Sequence, residues 1–294
     1  MEDIFTNLKR SFRSGNILTK LIYINVGVFI IIRLIGVVCL LFNFSGIPIL
    51  NYLQMPSSFS MVAFRLWTPI TYMFVHYDFL HIIFNMLWLY WFGGIFLRVF
   101  NGRQLGGLYL LGGLAGAVFF ILAYNTFPYF REVASYSSLI GASASVMAIV
   151  FAISFYRKEF EINLLFIGRI KLIYLALFTL LFDLLAITSS NAGGHIAHIG
   201  GALLGILFAS QMSKGKDLTR PIVRILDWFV NKRKPKVKMH VTYNKREKDY
   251  GYNAQKNQEN TDIDIILEKL KRSGYESLSA EEKKGLFDAS KKQE

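Results

Sequence analysis

Six apolar stretches separated by polar connections organise the chain: about 21–43, 77–97, 104–126, 139–156, 170–188 and 191–211. A helix that crosses the hydrocarbon core of a bilayer takes roughly 20 apolar residues, so each of the six is long enough or nearly so. The fourth is the shortest. It begins "GASASVMAIVFAISFY", which places two serines, Ser143 and Ser145, at the start of a helix that is otherwise greasy on every side. Two positions along a helix means about 200° of rotation, so the serines cannot face the same neighbour.

The polar parts predict further elements. The first connection, "SGIPILNYLQMPSSFSMVAFRLWTPITYMFVH", is too apolar for a solvated linker and reads as an interfacial segment with Trp67 and Tyr72 at headgroup level. After the sixth stretch, "RPIVRILDWFVNK" alternates Ile222, Ile225, Leu226, Trp228 and Phe229 with charge, as expected of a helix lying on a membrane surface. The run "NKRKPKVKMH", which ends on the solvated His240, predicts contact with anionic lipid rather than nucleic acid. Near the C-terminus Ile263, Ile266, Leu267 and Leu270 follow helical spacing, Gly274 stops that helix, and Ser279 to Glu282 forms a capping box for another. The expected organisation is a segment 1–20, a membrane domain 21–211, a basic membrane-surface linker 212–255 and a helical hairpin 256–294.

Composition agrees with this division. The 294 residues are 53% hydrophobic yet carry a net charge of +13, because charge is concentrated in the two ends. The single cysteine, Cys39, excludes an internal disulfide and a cysteine-based metal centre. Lysine and arginine cluster in the N-terminal segment, the second and fourth connections and the C-terminal tail, which predicts cytoplasmic termini. The first twenty residues have no apolar core or small-residue cleavage site of a signal peptide, so the membrane segments are expected to direct insertion.

In this orientation the second, fourth and sixth helices run inward from the outer face, and their first turns share a depth. Polar side chains there are costly and therefore candidates for function: Arg33, His76, His81, Asn85, Ser143, Ser145, Asp183, His195 and His198. His81 and Asn85 lie four apart on one helical face. A serine, a histidine and a pair of donors at one depth supply the nucleophile, base and oxyanion stabilisers of acyl transfer. Nothing in the spacing ties Asp183 to either histidine, so a serine–histidine dyad is the expected arrangement, with Asp183 a conceivable partner for Arg33. Small residues at intervals of four, Ala197, Gly201 and Gly205 on the sixth helix and Ala144, Ala148 and Ala152 on the fourth, predict close helix approach. Gly112 and Gly116 on the third read as packing.

The combination of "HYDFLHIIFN" (His76 to Asn85), "GASA" (Gly141 to Ala144) and "AHIGGALLG" (Ala197 to Gly205), in that order on alternate helices, resembles the rhomboid family of intramembrane serine proteases. The resemblance covers roughly residues 60–211 and includes "LWTPITYMFVH". It implies an all-α, six-helix membrane bundle, here with a small cytoplasmic helical extension, that cleaves transmembrane segments of other membrane proteins without metal or cofactor. Ser143 is similar to the family's nucleophile and His198 to its base. His81 and Asn85 would stabilise the oxyanion with backbone N–H near Ser143. Gly201 and Gly205 match its packing glycines, with Gly141, Ala144 and Met147 in supporting places, and Ser145 is then a packing serine.

The family usually has glycine where this chain has Ala144, and Met147 stands where some members place an aromatic ring. The expected partners are transmembrane protein substrates and lipid, with no nucleic acid, in a bacterial plasma membrane. Two other classes are consistent with the residues: an inactive rhomboid-like binder of membrane proteins, and a metal transporter using His76, His81, His195 and His198. The transporter lacks a carboxylate series or repeated ligand spacing through the membrane.

Overall fold

A computed structural model of the chain describes residues 4–44, 46, 48–164, 168–231 and 263–291, so the basic run 232–240 with His240 lies outside the described residues. The chain divides into two units, Met1–Lys234 and Pro235–Glu294.

In the first unit a short amphipathic helix, α1 (Ile4–Ser14), precedes the long apolar α2 (Ile17–Leu41). Asn16 caps α2 by accepting from the Thr19 N–H at 3.0 Å. The first connection folds into three short helices, α3 (Pro48–Leu53), α4 (Phe59–Phe64) and α5 (Thr68–Thr71), followed by one 3-10 turn. It leads to α6 (Phe79–Phe96) and then to α7 (Gly102–Thr126), where Asn101 and Gln104 form a reciprocal capping box. The remaining helices are α8 (Ser143–Tyr156), α9 (Leu172–Leu185), α10 (Ala192–Ser213) and α11 (Arg220–Asn231). Among the described residues, α2, α6, α7 and α10 are long and apolar enough to cross a membrane, and α8 and α9 are shorter apolar helices.

The all-helical expectation misses two small antiparallel pairings. β1 (Met55–Pro56) pairs with β2 (Ser138–Leu139), while β3 (Glu161–Leu164) and β4 (Gly168–Lys171) form a hairpin between α8 and α9. The β1–β2 pairing joins the first connection to the segment just before Ser143. It is reinforced by hydrogen bonds from Ser57 Oγ to the Ala134 carbonyl and from Asn125 Nδ2 to the Ser57 carbonyl, the latter 2.7 Å.

Burial separates the helices by role. α2 buries Leu18, Leu21, Asn25 and Ile32 and turns Ile30, Ile31, Leu34 and Val38 outward. By contrast, every residue of α8 from Ala144 to Ser154 is buried, which is why that helix is apolar all round. It packs against α6, α7, α9 and α10.

Small residues set the spacing around α8. A Cβ at Gly201 would strike the Ala144 carbonyl oxygen, and one at Gly205 would strike the Ala148 carbonyl and approach Ala152 N to 2.9 Å. The α10 backbone therefore lies directly on that of α8, as small residues permit in a membrane. On the other side, Gly112 and Gly116 of α7 receive the side chains of Ala148 and Ala144.

Two polar placements differ from the sequence reading. Tyr72 is not at the headgroups: it is buried, and its hydroxyl donates to the Gly113 carbonyl at 2.6 Å, because the connection dips into the bundle. Trp67 remains half-exposed, with its indole N–H on the Tyr52 carbonyl at 2.7 Å. Arg33 does not meet Asp183; its guanidinium lies over the Tyr77 ring, 5.1 Å from the centroid. Asn25, a buried polar residue with no motif to announce it, donates to the Tyr109 hydroxyl at 3.1 Å, and that hydroxyl donates to the Met73 carbonyl at 2.9 Å.

In the second unit, the helix over 263–273, α12, ends at Gly274, whose φ of 75° suits glycine. Helix α13 (Ala280–Lys291) begins with the Ser279–Glu282 capping box, with bonds of 2.7 and 3.2 Å. Lys269 of α12 donates to both oxygens of Glu282 at 2.9 Å and holds that carboxyl below its ordinary range, with help from the Ser279 N–H.

Gly201→Ala is expected to lower stability in detergent by about 1–3 kcal/mol through overpacking, read as a lower unfolding midpoint. Gly94→Ala, where a Cβ meets nothing within 4 Å, is the control and should not lower it. Equal midpoints would mean that the α8–α10 approach is not sterically set.

Candidate active site

Ser143 occupies the first turn of α8, where the chain arrives from β2. That arrival is tightly fixed. The Gly141 N–H donates to the Tyr72 carbonyl at 3.0 Å, and the Ala142 N–H donates to His76 Nε2 at 3.3 Å. Gly141 has φ of 115°, a conformation that side chains disfavour, and a Cβ there would lie 2.8 Å from His81 Nε2. The glycine thus lets the His81 ring reach the loop immediately before Ser143. His76 is fully buried and meets His81 edge-on, with centroids 5.1 Å apart.

Ser143, His81, Asn85 and His198 line one cavity of about 490 Å³, walled by α6, α8, α9 and α10. Met147, one turn beyond Ser143, adds apolar lining, as do Phe84 of α6 and Phe178 of α9. The Asn85 amide donates to the His81 carbonyl at 2.9 Å, so one of its two N–H groups is committed to its own helix.

Asp183 corrects the expectation of a carboxylate-free pair. Its Oδ1 lies 2.9 Å from His198 Nδ1 and 2.8 Å from His195 Nδ1. The Asp183 side chain is only 5% exposed, against 20% for His198 and 12% for His195, so it is a buried acceptor shared by two largely buried rings. With the carboxylate ionised, neutral rings donate through Nδ1–H, which leaves Nε2 of each as the basic nitrogen. Two features of the sequence agree with this arrangement without fixing it. Asp183 is the one charged residue in the apolar run of α9, and a carboxylate there needs a partner. His195 and His198, three apart, share one face of α10.

The two serines part company as helical geometry requires. Ser145 is buried, does not line the cavity, and sits against α7, where a Cβ at Gly112 would come 3.2 Å from its Cα. Its hydroxyl has no hydrogen-bond partner among the described residues.

Ala144 also has a defined place. Its methyl points at α7, where Gly116 leaves the space: a Cβ on Gly116 would lie 2.6 Å from it. The α10 contact involves the Ala144 backbone instead. The added methyl therefore does not stand between α8 and α10.

The fold is thus an apolar helical bundle in which a serine, histidines and a carboxylate line one open-sided cavity. Residues 63–215, more than half of the chain, match the Rhomboid domain, and the chain belongs to the rhomboid family. It is an integral membrane protein. It is 31% identical over 210 residues to "RHOMBOID-like protein 12, mitochondrial" of Arabidopsis thaliana, covering 68% of this chain and 60% of that protein. It is 41% identical over 70 residues to "Rhomboid-like protein 16, chloroplastic" of the same plant, covering 24% of this chain and 22% of that one. Similarity to "Rhomboid protease GlpG" of Yersinia pseudotuberculosis is 24% over 180 residues, covering 61% of this chain and 60% of that protein. The matched part thus spans no more than about 60% of these relatives. Residues 246–292 match a family of unknown function (DUF6576).

Ser145→Ala removes a buried hydroxyl that has no partner among the described residues, so stability in detergent is expected to be unchanged or to rise by up to ~1 kcal/mol. A lower unfolding midpoint would reveal an interaction of that hydroxyl.

Proposed function

We propose that this chain is an intramembrane serine endopeptidase in which Ser143 is the nucleophile and His198 the base. The observation that supports it best is the convergence of Ser143, His198, His81 and Asn85 on one cavity, with Asp183 on the far nitrogen of His198. Asp183 is then a positioning residue: by accepting from Nδ1 it keeps the His198 lone pair on Nε2 for the Ser143 proton.

In this mechanism His198 Nε2 takes the proton as Ser143 Oγ attacks the scissile carbonyl carbon. Negative charge collects on the carbonyl oxygen, where the His81 ring N–H, the free Asn85 N–H and the Ser143 backbone N–H would receive it. The Ala142 N–H is spoken for by His76. Collapse of the intermediate expels the amine, which takes its proton from His198, and water releases the acyl chain by the same steps in reverse.

Helix length supports the depth of the site. The 14 residues of α8 extend about 21 Å at 1.5 Å each, against a hydrocarbon core of ~30 Å. If its C-terminal end lies at the inner interface, Ser143 stands about 9 Å below the outer one, where a recessed cavity admits water. In this reading α8 and α9 join the four longer helices as a six-helix bundle with both termini cytoplasmic. Substrates are transmembrane segments with small or helix-weakening residues, approaching between α6 and α9. The setting proposed is a bacterial plasma membrane, in keeping with the bacterial GlpG relatives; the plant relatives carry mitochondrial and chloroplastic names. The proposed domain limits remain 1–20, 21–211, 212–255 and 256–294, the linker resting on lipid through α11.

Purified protein is tested against a panel of single-span substrates. Ser143→Ala and His198→Ala are expected to abolish cleavage, and Ser145→Ala to preserve it. Asp183→Asn should lower kcat about tenfold or more with little change in KM, and slow labelling by a fluorophosphonate to the same degree. A folded chain that cuts nothing across the panel would overturn the protease reading in favour of a membrane-protein binder. Removal of residues 255–294 is expected to alter abundance or regulation while turnover of the correctly inserted chain persists.

A further inference from the structure

We propose that Asp183, His195 and His198 form a site for a zinc-class divalent cation, and that its occupation switches off the base of the Ser143–His198 pair. The site stands on its own geometry; the switching half rests on the protease reading above.

The cluster supplies one carboxylate oxygen and two imidazole nitrogens, all within 4.8 Å of one another. It is drawn from two helices, α9 and α10. Asp183 Oδ1 is 2.8 and 2.9 Å from the two Nδ1 atoms. Zinc holds histidine nitrogen and carboxylate oxygen at about 2.0–2.2 Å, which at a tetrahedral angle places neighbouring ligand atoms roughly 3.3–3.6 Å apart. Small side-chain adjustments open the hydrogen-bonded cluster to that span. Two imidazoles with one carboxylate suit zinc, cobalt or nickel rather than magnesium or calcium, which favour all-oxygen shells. All three residues line the cavity, so water can complete the coordination.

His195 is otherwise without a task in the proposed mechanism. Both of its assigned features, position on the face of His198 and a bond to the same carboxylate oxygen, fit a ligand. The chemistry of switching follows from the nitrogen involved. A cation takes Nδ1 of His198 through its lone pair, so the proton that Nδ1 carried in the hydrogen bond to Asp183 must leave. The neutral ring then holds its single proton on Nε2. That nitrogen becomes a donor towards Ser143 and no longer accepts its proton. Removal of the cation returns the proton to Nδ1 and the lone pair to Nε2. No bond other than those to metal and proton changes.

The full chain, purified in detergent and stripped with a chelator, is titrated with Co²⁺ and followed by its visible absorption, then with Zn²⁺ to displace it. Intact protein and Ser143→Ala should bind alike, and His195→Gln should bind about tenfold more weakly or worse. In parallel, Zn²⁺ should inhibit cleavage reversibly by chelator. The half-inhibiting concentration should rise about tenfold or more in His195→Gln, each protein being referred to its own metal-free rate. If His195→Gln does not fold, protection of His195 and His198 from diethyl pyrocarbonate by Zn²⁺ in the intact chain, located by mass spectrometry, decides the ligands. No Co²⁺ binding by the intact chain, or equal binding by folded His195→Gln, overturns the site. Binding in the expected pattern without inhibition overturns the switch. Binding in that pattern by a chain that cuts no substrate leaves the site standing and removes the protease reading instead.

Discussion

The contact of the α10 backbone on the α8 backbone is the constraint from which the rest of the structure follows. At Gly201 and Gly205 the absence of a side chain lets α10 rest on the carbonyls of Ala144 and Ala148. A residue of ordinary size at either position would push the helices apart by the width of that side chain. Ser143 and His198 come from those two helices, one residue before Ala144 and three before Gly201, so the helix separation also sets the separation of the two groups proposed to react. In lipid no hydrophobic force compresses the pair. Their approach depends on shape, and the shape is written in small residues.

The same solvent explains the polar architecture. A polar group removed from water without a partner costs a few kcal/mol, and the buried ones here are mostly partnered across helices or to the long connection. Asn25 and Tyr109 tie α2 to α7 and onward to the Met73 carbonyl. Tyr72 fastens the connection to α7 at Gly113, while its own carbonyl holds the Gly141 N–H. The chain before Ser143 is therefore hung from the first connection through Tyr72, His76 and the β1–β2 pairing, over distances that local sequence does not span. A connection rich in aromatic residues becomes part of the wall because it has this work to do inside the bundle.

The apolar runs were legible because a bilayer demands long uninterrupted segments; the helix positions α2, α6, α7, α8, α9 and α10 fall within the six stretches, give or take a few residues. The small-residue stripes were legible in part: spacing of four puts Gly201 and Gly205 on the face of α10 that meets α8, whereas the methyls of Ala144 and Ala148 meet Gly116 and Gly112 of α7 instead. Long-range polar pairing was not. Asp183 is separated from His195 by 12 positions and from His198 by 15, and the angle at which α9 meets α10 decides which side chain it reaches. Tyr72 was misplaced for a related reason: an aromatic residue beside Trp67 resembles an interface anchor until the backbone path is known. The β3–β4 hairpin lies in a connection whose charges dominate its composition and conceal the pairing of Ile162 with Ile170.

Ala144 departs from the family pattern without parting α8 from α10. A methyl where glycine is usual suggests, from the motif alone, a bundle opened between serine and histidine. The methyl has a direction, however, and it points to α7, where Gly116 provides the space that the residue after Ser143 no longer leaves. The surface that Gly201 meets is the Ala144 carbonyl, which alanine and glycine share. The substitution is thus absorbed on the α7 side and is invisible on the α10 side. Disruption of packing at this position would require a side chain that Gly116 could not accommodate, and the pairing of Ala144 with Gly116, rather than residue 144 alone, is the unit on which the approach of α7 and α8 depends.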